Sequence, residues 1–232
     1  MSARPSPSSV LSALKSAGDK RVRDEMGPRY GIVAKDAFGV PMAKIKAIAK
    51  EIGRDHDLAI ELWKSGNYDA RLLCSMIADP ARVTPALMDR WRRDFDNWGV
   101  CDTLCFNLFD KTPYAFAKVE AWAALNDEFG KRAAFALLAS LALHDKKSED
   151  ATFARLLPLC AKAASDDRNF VKKAVSWALR AIGSRRAKLH DACIATATRL
   201  AASEDATERW VGKDVLRDLS RPLVKGRLAK KK

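Results

Sequence analysis

Apolar residues recur at spacings of three and four along most of the chain, which is the pattern of amphipathic helices. Runs of β-branched residues that alternate with a period of two are few, so strands are not expected. The pattern predicts an all-α fold. Its clearest helical segments cover 43–53, 57–66, 69–78 and 84–95, and continue through YAFAKVEAWAAL, KRAAFALLASLAL, ATFARLLPLCAKAA, VKKAVSWALRAIG, LHDACIATATRLAA and WVGKDVLRDLS.

Helix ends are marked by a few residues with strong positional preferences. Thr84-Pro85 and Thr112-Pro113 each predict an N-cap followed by proline at the first helical position. Glycine often terminates a helix because it adopts a left-handed backbone without strain. We therefore expect ends or turns at Gly66, Gly130 and Gly183.

A motif of one aromatic, one basic and several small apolar residues repeats with offsets of 41 and then 40 residues. A period of about 40 with two helices per unit is typical of HEAT and armadillo repeats. Such units stack into a solenoid with a concave groove. The matched residues are Phe129, Lys131, Arg132 and Ala133 with Phe170, Lys172, Lys173 and Ala174, and Phe170, Val171, Lys173 and Val175 with Trp210, Val211, Lys213 and Val215.

The repeats predict one HEAT-like superhelical domain over residues 9–221, with a basic concave groove. Residues 1–8, which contain two prolines and three serines, are expected to form a flexible leader. Residues 222–232 are expected to form a basic C-terminal tail, which either contacts a phosphate backbone or is simply solvated.

The formal net charge is +13, from 42 Lys and Arg against 29 Asp and Glu, and such a field attracts polyanions. Nucleic acid is the first candidate partner. No segment approaches the roughly 20 apolar residues that span a bilayer, and no secretory signal is evident. We expect a monomer in the cytoplasm, associated with a bacterial nucleoid while acting on DNA.

The repeat places cations at equivalent positions of successive helices, namely Arg132, Lys173 and Lys213. A row of cations on stacked helices suits a phosphate backbone, although the same residues could simply be solvated helix starts. Lys172 and Arg180 lie in the same predicted helix as Trp177 and are further DNA-binding candidates.

Motifs for other chemistry are missing from the sequence. The odd number of cysteines and their apolar surroundings predict reduced, buried thiols. Cys101 and Cys105 are four residues apart, as two metal ligands on a helix could be, but no histidine lies near them in sequence, so no metal site is expected. There is no glycine-rich phosphate loop, zinc deaminase motif or nucleophile elbow. We expect no cofactor.

Trp98 and Asp102 are four residues apart in a polar stretch, so a helix would place both on one face. An aromatic face attracts cations, and a positioned carboxylate stabilises developing positive charge. Cleavage of an alkylated purine from its sugar passes through such an oxocarbenium-like state. The spacing alone, however, also occurs in purely structural helices.

The chain resembles the AlkD-like family of DNA alkylation repair proteins over roughly residues 28–220. The resemblance rests on the stretches AKIKAIAKEIGRDHDLAIELWKSGNYDARLLCSMIADP (43–80), DNWGVCD (96–102), KRAAFALL (131–138) and FVKKAVSWALRAIG (170–183). In that family an acidic residue often follows the first tryptophan, where this chain has Gly99.

The resemblance implies a HEAT-like DNA glycosylase that excises cationic N3- and N7-alkylated purines from duplex DNA without a metal or cofactor. By the matching motifs, Trp98 and Trp177 would surround the deoxyribose and phosphate of the lesion. Asp102 would stabilise the oxocarbenium ion and position or activate water, and Arg132 would bind phosphate near the lesion.

Two other function classes fit the charge and the repeats. The first is a non-catalytic repeat protein that binds branched or damaged DNA, or RNA, and leaves Trp98 and Asp102 as structural residues. The second is a protein–protein scaffold, which would show little salt-sensitive DNA affinity. The preferred lesion and the effect of Gly99 on activity stay open at this point.

Overall fold

The computed structural model describes residues 4–229, and every regular element in that range is a helix. The prediction of an all-α fold is therefore confirmed. Contacts between Cα atoms divide the chain into two compact units, the first ending at Thr112 and the second starting at Pro113. The single domain over residues 9–221 stays a prediction.

The first unit contains seven α-helices in its described residues, with 3-10 turns at Pro80–Arg82 and Phe109–Lys111. The helices are α1 (Pro7–Ala17), α2 (Lys20–Tyr30), α3 (Met42–Ile52), α4 (His56–Trp63), α5 (Tyr68–Ile77), α6 (Pro85–Arg93) and α7 (Trp98–Asn107).

Two tryptophans anchor the core of the first unit. The rings of Trp63 and Trp91 stack with centroids 4.3 Å apart and an interplanar angle of 9°. The Trp63 indole also donates to the Asp94 carboxylate at 2.6 Å, which satisfies its buried N–H. Both tryptophans are therefore core residues.

A long loop between α2 and α3 is held in place by the buried carboxylate of Asp69. Its oxygens accept the backbone N–H groups of Phe38, Gly39 and Val40 at 2.7, 3.2 and 2.9 Å. The N–H of Tyr68 donates to the Asp36 carbonyl at 2.8 Å. The start of α5 therefore organises this loop, although the two segments are about 30 residues apart in sequence.

The second unit contains eight α-helices in its described residues. They are α8 (Ala115–Ala123), α9 (Glu128–His144), α10 (Asp150–Ala154), α11 (Leu157–Ala163), α12 (Asn169–Gly183), α13 (Ala187–Ala201), α14 (Ala206–Leu219) and α15 (Pro222–Ala229).

Helix α9 is the centre of this unit. Every residue from Arg132 to Ala142 is buried, because α8 and α12 pack along it. A helix that is apolar on nearly all sides requires such burial. Trp122 of α8 is buried as well.

The residues that defined the sequence repeat lie on α9, α12 and α14, with α12 packed against both other helices. The rings of Phe129 and Phe170 are 5.4 Å apart. The Arg132 guanidinium lies 5.9 Å from the Phe170 ring, and the Lys172 ammonium lies 5.5 Å from the Trp210 ring. Successive repeats are thus joined by a cation of one helix over an aromatic of the next.

An ion-pair network stabilises the loop between α11 and α12. The carboxylate of Asp166 lies 3.1 Å from Lys131 Nζ and 2.5 Å from the Arg168 guanidinium. Arg168 also donates to the Asn126 carbonyl at 2.6 Å. The hydrogen bond from Arg168, followed by that from Lys131, lowers the pKa of Asp166 to about 2.

We expect this carboxylate to make stability depend on pH in the acid range. Because the pKa of Asp166 is lower in the folded chain than in the unfolded one, its contribution is complete above the ordinary value and is lost as pH falls through about 2. We expect the free energies of unfolding of Asp166→Asn and the wild type, measured with urea, to converge as pH falls from the ordinary pKa of aspartate to about 2. A constant difference between the two proteins would contradict the network.

Some predicted helix ends are confirmed and others are wrong. Thr84 caps α6, since its hydroxyl accepts the Leu87 N–H. Thr112 instead donates its hydroxyl to the Phe109 carbonyl, and α8 begins only at Ala115. Of the glycines, Gly66 has a positive φ after α4 and Gly183 ends α12, but Gly130 lies inside the first turn of α9.

The helices also extend into both predicted terminal segments. Helix α1 begins at Pro7, where the Ser6 hydroxyl caps it by accepting the Ser9 N–H. Helix α15 covers Pro222–Ala229. The remaining parts of the predicted leader and tail, residues 1–3 and 230–232, lie outside the described residues.

Candidate nucleic-acid interface

The start of α7 presents the tryptophan and the carboxylate that the sequence singled out. The buried side chain of Asn97 accepts the Val100 N–H at 3.0 Å, which caps the helix and makes Trp98 its first residue. Trp98 and Asp102 are one helical turn apart and both are half-buried. The predicted placement on one helix face is therefore confirmed.

The indole of Trp98 is held by a contact that is distant in sequence. Its Nε1–H donates to the backbone carbonyl of Tyr30, at the end of α2, over 2.8 Å. This bond fixes the orientation of the ring against the loop that Asp69 organises. The Trp98 ring is thus partly exposed and held in one orientation, as an aromatic side chain that contacts a substrate requires.

Gly99 is required by packing at the base of α7. A Cβ atom there would lie 2.5 Å from the Tyr68 hydroxyl and 3.2 Å from Ile32 Cδ1. Burial raises the pKa of the Tyr68 hydroxyl to about 12. The acidic residue that often follows the first tryptophan in the resembled family therefore cannot be added without displacing Tyr68.

This packing predicts an unusual response to a helix-favouring substitution. Gly99→Ala should lower the free energy of unfolding by up to about 2 kcal/mol, because an overpacking cost of about 1–3 kcal/mol outweighs the gain of about 1 kcal/mol in helix propensity. Tyr68→Phe removes the oxygen that the new methyl group would meet.

A double-mutant cycle on urea-induced unfolding tests that response. The cost of Gly99→Ala should be smaller in the Tyr68→Phe background than in the wild type. If alanine stabilises the protein equally in both backgrounds, the hydroxyl does not limit this position.

The cysteines of α7 are part of the core. Cys101 and Cys105 are buried, and all five cysteines are buried and form no disulfide, as predicted. Burial, followed by interaction with Cys101, raises the pKa of Cys105 well above its ordinary value. Within residues 4–229, no group of three or more histidine, cysteine, aspartate or glutamate side chains is arranged to hold a metal ion.

The second unit contains a cleft of about 370 Å³ that gathers aromatic and charged side chains of α9, α12 and α14. We call it the Trp177 cleft. Its lining comprises Arg132, Lys173, Trp177, Arg180, Trp210 and Asp214. Four of these residues, Arg132, Lys173, Trp177 and Arg180, are among the predicted site residues, so the structure brings together side chains that are up to 48 positions apart in sequence.

Arg132 is buried in the floor of this cleft. Only 6% of the residue is exposed, and its guanidinium donates to the Phe170 carbonyl at 2.6 Å. The sequence treated Arg132 as equivalent to Lys173 and Lys213, which are both exposed. Phosphate binding by Arg132 stays a prediction, whereas its contact with α12 is a structural role that the sequence did not indicate.

Arg180 is oriented by carboxylates of α14. Its Nε lies 3.7 Å from Asp214 and its Nη1 lies 3.9 Å from Asp218. Asp214 in turn accepts the hydroxyl of the buried Ser176 at 2.6 Å. Trp177 is half-buried beside this group, and Lys172, also half-buried, lies over Trp210.

Sequence reasoning missed two residues of the cleft. The sequence placed Trp210 only at the aromatic position of the repeat, but 38% of it is exposed and it lines the cleft. Asp214 was not considered. The signal that could have revealed both is a second Trp-x-x-x-Asp element in the sequence.

Comparison with known proteins identifies the family. A family model described as DNA alkylation repair enzyme matches residues 10–215, which is most of the chain. The chain belongs to the DNA alkylation repair enzyme family. This confirms the resemblance noted from the sequence.

The fold of this family member is also found in a solved structure. That protein is described as belonging to a new family related to the HEAT-like repeat DNA glycosylases, with affinity for branched DNA structures. It has 21% sequence identity and a TM-score of 0.79, and the match covers 97% of this chain and 96% of the other. The prediction of a HEAT-like fold is thereby confirmed.

Two further comparisons add little information about this protein. An engineered protein covers 81% of this chain and 85% of its own, with 14% identity and a TM-score of 0.42, which is too low to support an argument. A search of curated proteins found no match. In the described part of the chain, no helix is long and apolar enough to cross a membrane.

Proposed function

We propose that this protein is a DNA glycosylase that hydrolyses the N-glycosidic bond of cationic N3- and N7-alkylated purines in duplex DNA. The observation that carries the proposal is the pairing of Trp98 and Asp102 on one turn of α7, with the indole held by the Tyr30 carbonyl. Membership of the DNA alkylation repair enzyme family supports it.

The chemistry needs little more than this pair. An alkylated purine carries a positive charge, so it leaves as a neutral base when it takes the electrons of the N-glycosidic bond. The positive charge then develops on the deoxyribose, where the Asp102 carboxylate stabilises it. Water attacks the anomeric carbon and loses a proton, and Asp102 would position or activate this water.

The second unit would supply DNA contacts. Trp177 is proposed to contact deoxyribose and phosphate groups of the bound DNA. Lys173 and Lys213 are exposed cations that suit phosphate, and Lys172 and Arg180 are partly exposed. Arg132 would act from the floor of the Trp177 cleft. The net charge of +13 favours such contacts, and we propose that the protein acts as a monomer on the cytoplasmic nucleoid.

A second candidate function is binding of branched DNA without base excision. Two observations favour it, namely the description of the structurally similar protein and the glycine at position 99. In this case the Trp98–Asp102 pair would be a structural remnant, because a fold can outlast its activity.

One assay separates the two candidates. Under single-turnover conditions, duplex DNA with one N7-methylguanine is incubated with excess protein, and base release and binding are measured on the same duplex. Release supports the glycosylase. Salt-sensitive binding without release would instead support the second candidate, and the absence of both would contradict the family's DNA function in this chain.

A further inference from the structure

The Trp-x-x-x-Asp element occurs twice in this protein. The first copy is Trp98 to Asp102 on α7, and the second is Trp210 to Asp214 on α14. Both residues of the second copy line the Trp177 cleft, together with the cations of that cleft. The surroundings of Trp210 and Asp214 can therefore be compared with those of Trp98 and Asp102, the proposed catalytic pair.

The carboxylate of the second copy is already engaged. Asp214 has only 15% of its side chain exposed, accepts the Ser176 hydroxyl, and forms ion pairs with Arg180 and Arg217. Its charge is thus matched by neighbouring cations. Asp214 serves to orient Arg180 in the cleft, and it does not offer a carboxylate to a cationic sugar or base.

The aromatic of the second copy is open to a ligand. Trp210 is the most exposed of the tryptophans, although the Lys172 ammonium lies 5.5 Å from its ring. An exposed indole near Lys172, in a cleft that Lys173 and Arg180 also line, combines a stacking surface with cations. Sites that bind single-stranded nucleic acid join these two features.

The backbone of α14 holds Trp210 rigidly. Gly212 lies against α13 so closely that a Cβ atom there would come within 2.6 Å of the Ala197 carbonyl oxygen. The helix therefore cannot move away from α13 without losing this contact. A stacking residue on a fixed helix loses little conformational entropy when a base binds.

We propose that the Trp177 cleft binds one unpaired nucleotide of bulged or branched DNA, with Trp210 stacked on its base and Lys173 and Arg180 contacting its phosphates. A base inside a duplex is covered on both faces by its neighbours, so only an unpaired base presents a face to Trp210. The cleft volume of about 370 Å³ lies in the range of small-ligand sites. This inference rests on the proposed DNA binding but not on base excision.

Binding of the full chain to two undamaged DNA molecules tests the proposal. One is a duplex, and the other is the same duplex with a short bulge that contains 2-aminopurine. The wild type should bind the bulged DNA more tightly, and stacking should quench the 2-aminopurine fluorescence. Trp210→Ala should weaken binding of the bulged DNA by about tenfold and abolish the quenching, with duplex affinity nearly unchanged.

Matched variants separate stacking from general damage to the protein. Trp210→Phe keeps an aromatic face and should retain most of the preference and the quenching. Tyr114→Ala removes an aromatic with the same 38% exposure from another part of the second unit, and should change neither. Thermal unfolding of each variant verifies that the fold is intact.

The outcomes also distinguish this inference from the proposed function. Duplex binding without any preference for the bulge, or a preference that survives in Trp210→Ala, would overturn the nucleotide site and leave the glycosylase proposal standing. Failure to bind either DNA at low salt would overturn both. Preference for the bulge without release of methylated bases would support the site and contradict only the catalytic proposal.

Discussion

Asp102→Asn should reduce the single-turnover rate of N7-methylguanine release by about 10²–10³-fold, because it removes the charge that stabilises the oxocarbenium ion. Asparagine has nearly the same shape, so the capped start of α7 and the Trp98–Tyr30 hydrogen bond should be retained. The affinity for DNA should therefore change little. Rapid quenching with separation of the released base measures the rate, and fluorescence anisotropy measures binding.

A matched control addresses the change in net charge. Glu61 lies on α4 and forms an exposed ion pair with Lys64. Glu61→Gln removes one negative charge and should leave base release unchanged. A wild-type rate in Asp102→Asn would exclude the carboxylate from the mechanism. A large loss of affinity in that variant would instead assign Asp102 to DNA binding or to folding.

The second large effect is expected at Asp69, on protein stability. Asp69→Ala should lower the free energy of unfolding by at least about 3 kcal/mol, because each N–H that is shielded from water and loses its acceptor costs about 1–3 kcal/mol. Three N–H groups, those of Phe38, Gly39 and Val40, lose their acceptor at once. Urea unfolding followed by circular dichroism measures the change.

The same substitution should disturb the candidate site. The loop that Asp69 holds includes Ile32, which packs beside Gly99 at the start of α7, and it follows the Tyr30 carbonyl that orients Trp98. Hydrogen exchange in residues 31–41 should therefore increase more than elsewhere. Asp24→Ala, which removes an exposed carboxylate from α2, should leave the free energy of unfolding nearly unchanged. Equal costs for the two variants would show that Asp69 is not the anchor of the loop.

Local patterns in the sequence determined the features that depend on neighbouring residues. The helical periodicity predicted the all-α fold, and Thr84-Pro85 predicted the start of α6, because caps and amphipathic faces follow from residues within one or two turns. The shared face of Trp98 and Asp102 is equally local, since residues i and i+4 on a helix always lie together. The repeat of about 40 residues identified the stacked helices α9, α12 and α14.

Tertiary structure alone decided which side chains are available for binding. Arg132, Lys173 and Lys213 are equivalent in the repeat, yet only Arg132 is buried, because Phe170 of the next helix covers it. Trp210 follows the aromatic pattern of Phe129 and Phe170 but stays exposed in the Trp177 cleft.

Gly99 and Asp69 depend on tertiary contacts in the same way. Gly99 faces Tyr68, which is 31 residues away in sequence, and Asp69 binds a loop about 30 residues before it. Such contacts join segments that are far apart along the chain. Periodicity, capping preferences and motif spacing reflect only interactions between residues that are close in sequence. The sequence therefore determined the helices and the placement of Trp98 and Asp102 on one face of α7. Packing determined which side chains of the site are exposed and how they are held.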